Sequence, residues 1–216
     1  MERAISAWDQ DKIWYKHGEG VYLRVPSDIR QKALEAMIAG APYEVGAIFD
    51  SGDRLLVGPK RGGKYSLFWT HEELSIANRT HMTHSHPDAM PLSESELEVA
   101  ATAGLISITA VHARHGRLVR TVAVAPNGWP ESGDTDLIRF IASRRSQTIE
   151  EIETLLDTTD PAWRIYRRAA CVTGLHQRVR NRFPVPLRES DIGAFVQQIS
   201  EEFAEIGVEY HRETST

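Results

Sequence analysis

Two imidazoles, a hydroxyl and a carboxylate are crowded into one short stretch of this chain: Thr83-His84-Ser85-His86-Pro87, followed by Ser93 and Glu96. In an extended strand, side chains two residues apart share a face, so His84 and His86 can both reach one ion. Pro87 cannot donate to a sheet ladder and ends the strand just beyond the second histidine. Ser93 is placed to cap a helix through Glu96, Leu97, Ala100 and Ala101, which puts the Glu96 carboxylate on a first helical turn facing the strand. Two imidazoles and one carboxylate are a ligand set that catalytic zinc uses, leaving a fourth position open. A His-x-His pair alone is more often a satisfied polar pair on a strand. The proline stop, the Ser-x-x-Glu and an acid upstream turn the balance toward a metal.

That acid is Glu44, on an otherwise apolar segment over 43–49, between Pro42 and Gly46. A lone carboxylate on a buried strand costs several kcal/mol unless it is paired. Partial burial would raise its pKa, as a general base for water requires. The sequence equally allows Glu44 at a strand edge, pointing to solvent. Asp88, Glu94 and Glu98 are further carboxylates near the histidines.

The elements that must position these groups follow from periodicity. Residues 1–20 are aromatic and polar and read as an irregular arm or an edge strand. A short strand over 21–25 precedes a helix from Ser27-Asp28 to Gly40, with Ile29, Ala33, Leu34, Met37 and Ile38 on one face. Strands follow at 43–49 and 54–57, joined by Asp50-Ser51-Gly52-Asp53, with another strand expected at 65–69. The histidine strand covers 79–86, the capped helix 93–103, and a hairpin pairs 105–111 with 117–124. His81, an odd number of residues from His84, should face away from the ion; His112 and His115 flank the hairpin turn and should be solvated. The turn-rich 127–133 reads as a linker. Beyond it, helices are expected over 134–156, 161–179 and 190–206. The division is an arm over 1–20, a mixed α/β domain over 21–128 and a helical region over 134–212.

The order helix, Pro42-x-Glu44-x-Gly46, His84-x-His86-Pro87, Ser93-x-x-Glu96 resembles the JAMM/MPN (JAB-domain) zinc metalloprotease family, in its prokaryotic or phage-type variants. The resemblance spans about residues 21–125. It implies an α/β fold with a cytidine-deaminase-like central sheet flanked by helices. It also implies zinc held by His84, His86 and Glu96, Glu44 as the catalytic acid/base and Ser93 hydrogen-bonded to the oxyanion or the metal-bound water. The implied reaction is hydrolysis of a peptide or isopeptide bond in a protein or peptide substrate, including ubiquitin-like conjugates. The chain departs from the family's pattern twice: Glu96 stands where aspartate is usual, and six residues rather than seven separate His86 from Ser93. A longer side chain can compensate a shorter loop. If it does not, the same fold would be a non-catalytic scaffold.

Composition bounds the remaining classes. The 216 residues are 41% hydrophobic and 25% charged, as in a globular protein. A net charge of -5 gives no reason for the whole chain to bind nucleic acid. Arg164, Arg167, Arg168, Arg178, Arg180 and Arg182 keep a metal-dependent nucleic-acid enzyme as a third reading. The single Cys171 excludes an intramolecular disulfide and a cysteine-based zinc cluster. Without a signal-like start or an apolar run of roughly 20 residues, the expectation is a cytoplasmic chain with no membrane contact.

Overall fold

Val45–Phe49 is apolar and buried at every position, the pattern of a strand covered on both faces. It lies inside one mixed sheet, flanked by helices, in the computed structural model, which describes residues 7–9, 11–144, 147–156 and 159–215. Among the described residues the strands are β1 Trp14–His17, β2 Gly20–Leu23, β3 Val45–Phe49, β4 Leu55–Arg61, β5 His81–Ser85, β6 Ser107–Arg114, β7 Arg117–Val124 and β8 Glu209–Thr214. The helices are α1 Gln31–Ile38, α2 His71–Ser75, α3 Glu94–Ala103, α4 Thr135–Arg144, α5 Ile149–Leu156, α6 Pro161–Arg180 and α7 Ile192–Ala204. The eight strands run in the order β1-β2-β4-β3-β5-β6-β7-β8. Only β5 and β6 are parallel, and α3 is the crossover between them.

The period of two divides the sheet into two cores. Val45, Ala47, Phe49 and Val111 face α1, where Ile29, Leu34 and Ile38 cover them. Ile48, Met82, Ile108, Ala110 and Ala123 face the other way, into a larger core shared with α3, α6 and α7. Thr83 obeys the same alternation: its hydroxyl donates to buried Glu35 of α1 at 3.1 Å, while His84 points to the α3 side.

Of the two readings of 1–20, the edge strand is the one found, with Gly18 at φ +56 turning β1 into β2. Other expectations are corrected. Helix α1 starts later than expected, and the Asp53 carboxylate in the β3–β4 turn accepts from Gln31 N–H at 2.8 Å. No strand forms over 65–69. Gly63 N–H donates to Ser66 O at 2.7 Å, folding the segment back over the sheet face instead of along its edge. The single helix expected over 134–156 is two, because Thr148 and Glu151 form their own N-cap exchange and open α5. The region over 134–212 is not wholly helical: β8 pairs antiparallel with β7. Trp129, within the 127–133 stretch, is buried and donates to Leu105 O at 2.7 Å. None of the described helices is long and apolar enough to cross a membrane.

Candidate metal centre

The end of β5 and the start of α3 bring three donor atoms together. His84 Nε2 lies 2.5 Å and His86 Nε2 2.6 Å from Glu96 Oε1, and the two nitrogens are 2.9 Å apart. This is the one group of three or more His, Cys, Asp or Glu side chains placed to share an ion among the described residues, and it could hold a metal ion. Two of the three donors are aimed by a second contact. His86 Nδ1 donates to Met90 O at 2.7 Å, which leaves the Nε2 lone pair for the centre. Glu96 Oε2 accepts from Ser93 N–H at 2.5 Å, which turns Oε1 toward the imidazoles. Donors around a tetrahedral ion at ~2.0–2.1 Å sit about 3.3 Å apart, so the cluster need open only slightly to fit one.

The glutamate is explained by the helix start. Ser93 Oγ accepts from Glu96 N–H, and Glu96 reaches back to Ser93 N–H, a capping box that needs a long acid at the third helical position. With this box, the Glu96 side chain spans from the helix start to both imidazoles.

The electrostatics are those of an acid awaiting a cation. Burial raises the Glu96 carboxyl, but His86 and His84 outweigh it and hold it well below the usual range. Burial opposes charge on His86 as well, yet Glu96, the Met90 carbonyl and Glu44 push its pKa up to about 9. Without a metal, the cluster therefore keeps a proton where the ion would sit.

Glu44 falls just before β3, tied through its backbone to Gly63 O and Gly62 N–H at 2.8 Å each. Of the two orientations the sequence allowed, the structure has the inward one: 8% exposed, in the wall of a cleft of about 300 Å³ that also contains His84, Ser93 and Glu96. Burial, the first cause, pushes its pKa up to about 7; His86 pulls against it, and the Glu96 and Asp88 charges add to the rise. Tyr65, Leu67, Phe68 and Trp69 form the facing wall. The close approach depends on Gly46, directly opposite His84 across the ladder; a Cβ there would lie 2.3 Å from Leu67 Cδ2. Ser93 and Ser95 line the same cleft, with their hydroxyls 3.1 Å apart.

His81 is apart from the centre, bonded to Ser107 Oγ at 2.7 Å, and His115 is exposed in the hairpin turn. His112 is corrected from solvated to buried, 3.3 Å from Arg212 Nη2 of β8. The basic stretch is largely paired internally: Arg164, Arg167 and Arg168 converge on Glu131, and Arg178 and Arg182 on Glu202. Sequence reasoning missed the Tyr65–Trp69 wall, although Gly62-Gly63 marked a sharp turn before it. Fold and site together define a mixed α/β protein with a buried His-His-Glu cluster beside a cleft. The chain matches no protein-family model, no curated protein and no solved structure.

Proposed function

We propose that this protein is a zinc-dependent hydrolase of peptide or isopeptide bonds, of the JAMM type. The observation that carries the reading is the convergence of His84 Nε2, His86 Nε2 and Glu96 Oε1 beside a cleft that also holds a buried acid, Glu44. The donor set, two imidazoles and a carboxylate, suits zinc and resembles the family's own. The order of elements, with Glu44 before an early strand and the histidines on the strand beside it, supports the JAMM-like fold.

In this mechanism His84, His86 and Glu96 hold the ion. A bound zinc supplies Lewis acidity, polarising the scissile carbonyl and making water nucleophilic near neutral pH. Glu44, with a pKa of about 7, accepts the proton of the attacking water and returns it to the departing amine. Ser93 uses an oxygen lone pair as the helix cap and keeps its hydroxyl proton to donate to the developing oxyanion. The aromatic wall at 65–69 faces Glu44, His84 and Glu96 across the cleft, where it holds the substrate chain beside them and sheds water.

The test combines metal content with one isosteric change. The purified chain is expected to take up one zinc per molecule and to cleave an amide in a panel of isopeptide-linked ubiquitin-like dimers and fluorogenic peptides. Glu44→Gln should keep the zinc and lose about 10²–10⁴ in rate. A chain that takes up no metal under any loading condition is the non-catalytic scaffold, and a fully active Glu44→Gln removes Glu44 from the chemistry.

A further inference from the structure

The loop between His86 and Ser93 sets the distance from the second imidazole to Glu96, and the C-terminal part of the chain grips it from behind. Arg212 of β8 donates through Nη2 to Ala89 O at 3.0 Å, and its other arm reaches Thr121 Oγ1 at 3.4 Å. Ala89 needs such a restraint, since it stands at φ +61, a left-handed conformation costly for a residue with a Cβ. The next residue, Met90, offers the carbonyl that orients His86.

Leu92, 1% exposed, comes immediately before the cap residue Ser93. Two buried polar side chains meet it: His176 from α6, 5% exposed, and Tyr210 from β8, 3% exposed. Both ring nitrogens of His176 and the Tyr210 hydroxyl are sealed from solvent and close no full hydrogen bond. The Leu92 backbone and the Glu96 carboxylate are the polar groups that bear on both. Edge-on contacts with Phe195 and Phe203 fix the two rings in place. Buried polar side chains without a partner are few in folded proteins, so two beside one loop call for an explanation. None of the three side chains lines the cleft.

We propose that His176, Tyr210 and Arg212 are positioning residues for the metal centre: α6 and β8 clamp the Ala89-to-Leu92 loop so that Glu96 meets both imidazoles. The proposal rests on the reading of His84, His86 and Glu96 as a metal site. It gives the C-terminal region a part in the site itself, acting through the backbone of a loop that carries no ligand.

The experiment uses the full chain with zinc alone and cobalt alone as probes. Tyr210→Phe keeps the ring and removes the hydroxyl; Arg212→Met keeps the stem and removes the guanidinium; Arg212→Lys restores one donor. Zinc affinity by chelator competition, the visible absorption of the cobalt-loaded chain and the melting temperature of the metal-free chain are compared with the wild type. Tyr210→Phe and Arg212→Met should each weaken zinc by about tenfold or more and change the cobalt spectrum. Their metal-free melting temperatures should stay within about 4 °C of the wild type, and Arg212→Lys should recover much of the lost affinity. Wild-type affinity and spectrum in both variants overturn the positioning role alone. So does a loss of affinity that appears only with a larger fall in the metal-free melting temperature. A wild-type chain that binds neither ion overturns the reading of the centre, and the positioning role with it.

Discussion

Helices α2 and α3 begin with the same device and end in different chemistry. At α2, Thr70 Oγ1 accepts from Glu73 N–H at 3.2 Å, and Glu73 returns to Thr70 N–H at 2.7 Å. At α3, Ser93 and Glu96 make the same exchange at 3.4 and 2.5 Å. The difference is what the fold brings to the acid. Glu73 receives Lys60 Nζ at 2.7 Å and the Tyr22 hydroxyl at 2.8 Å, a fixed cation and a neutral donor. Burial works against its charge, but Lys60, the Thr70 N–H and the Tyr22 hydroxyl together hold the carboxyl below its ordinary value. Glu96 receives two imidazoles, and the proton that His86 holds can be exchanged for an ion. A capping box specifies a helix start; the strand opposite decides whether its acid is closed off or left to bind.

The largest expected effect comes from deleting each acid in turn. Glu96→Ala should remove zinc from the purified chain, since two imidazoles on a strand leave the ion without its only anionic ligand. Glu73→Ala should leave zinc content unchanged and cost about 1–3 kcal/mol of stability, with the Lys60 stem able to carry its ammonium toward water. Metal analysis and chemical denaturation of the two variants read these outcomes directly. Zinc lost equally from both would mean that the boxes are not distinct in function.

Removing the cap hydroxyls sharpens the comparison further. Thr70→Ala and Ser93→Ala should each cost about 1 kcal/mol through the lost N-cap. On the proposed mechanism, in which Ser93 offers its proton to the oxyanion, Ser93→Ala should also lower hydrolysis about a hundredfold. Thr70→Ala should leave the rate of the folded protein unchanged. Equal rates in the two variants would reduce Ser93 to a helix cap.

What could be read in the sequence was short-range. His84 and His86 share a face because strands repeat every two residues, Pro87 stops the strand, and Ser93-x-x-Glu96 starts the helix; all three signals lie within one loop of each other. The inward turn of Glu44 was not legible, since it depends on the 65–69 segment folding over Gly46. Strand β8 was hidden by its composition: Glu209, His211, Arg212 and Glu213 surround the single buried Tyr210. With β8 unseen, the burial of His112 beneath Arg212 could not be anticipated either. The break before α5 was available, for Thr148-x-x-Glu151 repeats the capping pattern of α2 and α3.

The smallest effect separates the two boxes by pH. The folded His86 pKa, pushed up to about 9, exceeds its ordinary value of 6.5, so its proton stabilises the metal-free fold fully below 6.5. That contribution is lost as pH rises through 9. Glu44, pushed up to about 7, acts with the same sign, but its loss is nearly complete where that of His86 continues. Glu73 is shifted the other way, and its contribution is lost only as pH falls below the carboxylate range. His112 and His176, held by burial down to about 4, weaken the fold below pH 6.5 and leave the window above it clear. Metal-free melts should therefore decline from pH 7 to 9, and His86→Gln should flatten that decline. Zinc affinity should climb about tenfold per pH unit over the same range, as one proton leaves His86 for each ion bound. Thermal scans and chelator competition at matched pH measure the two slopes, and a flat metal-free profile with pH-independent zinc binding would remove the exchangeable proton that distinguishes α3 from α2.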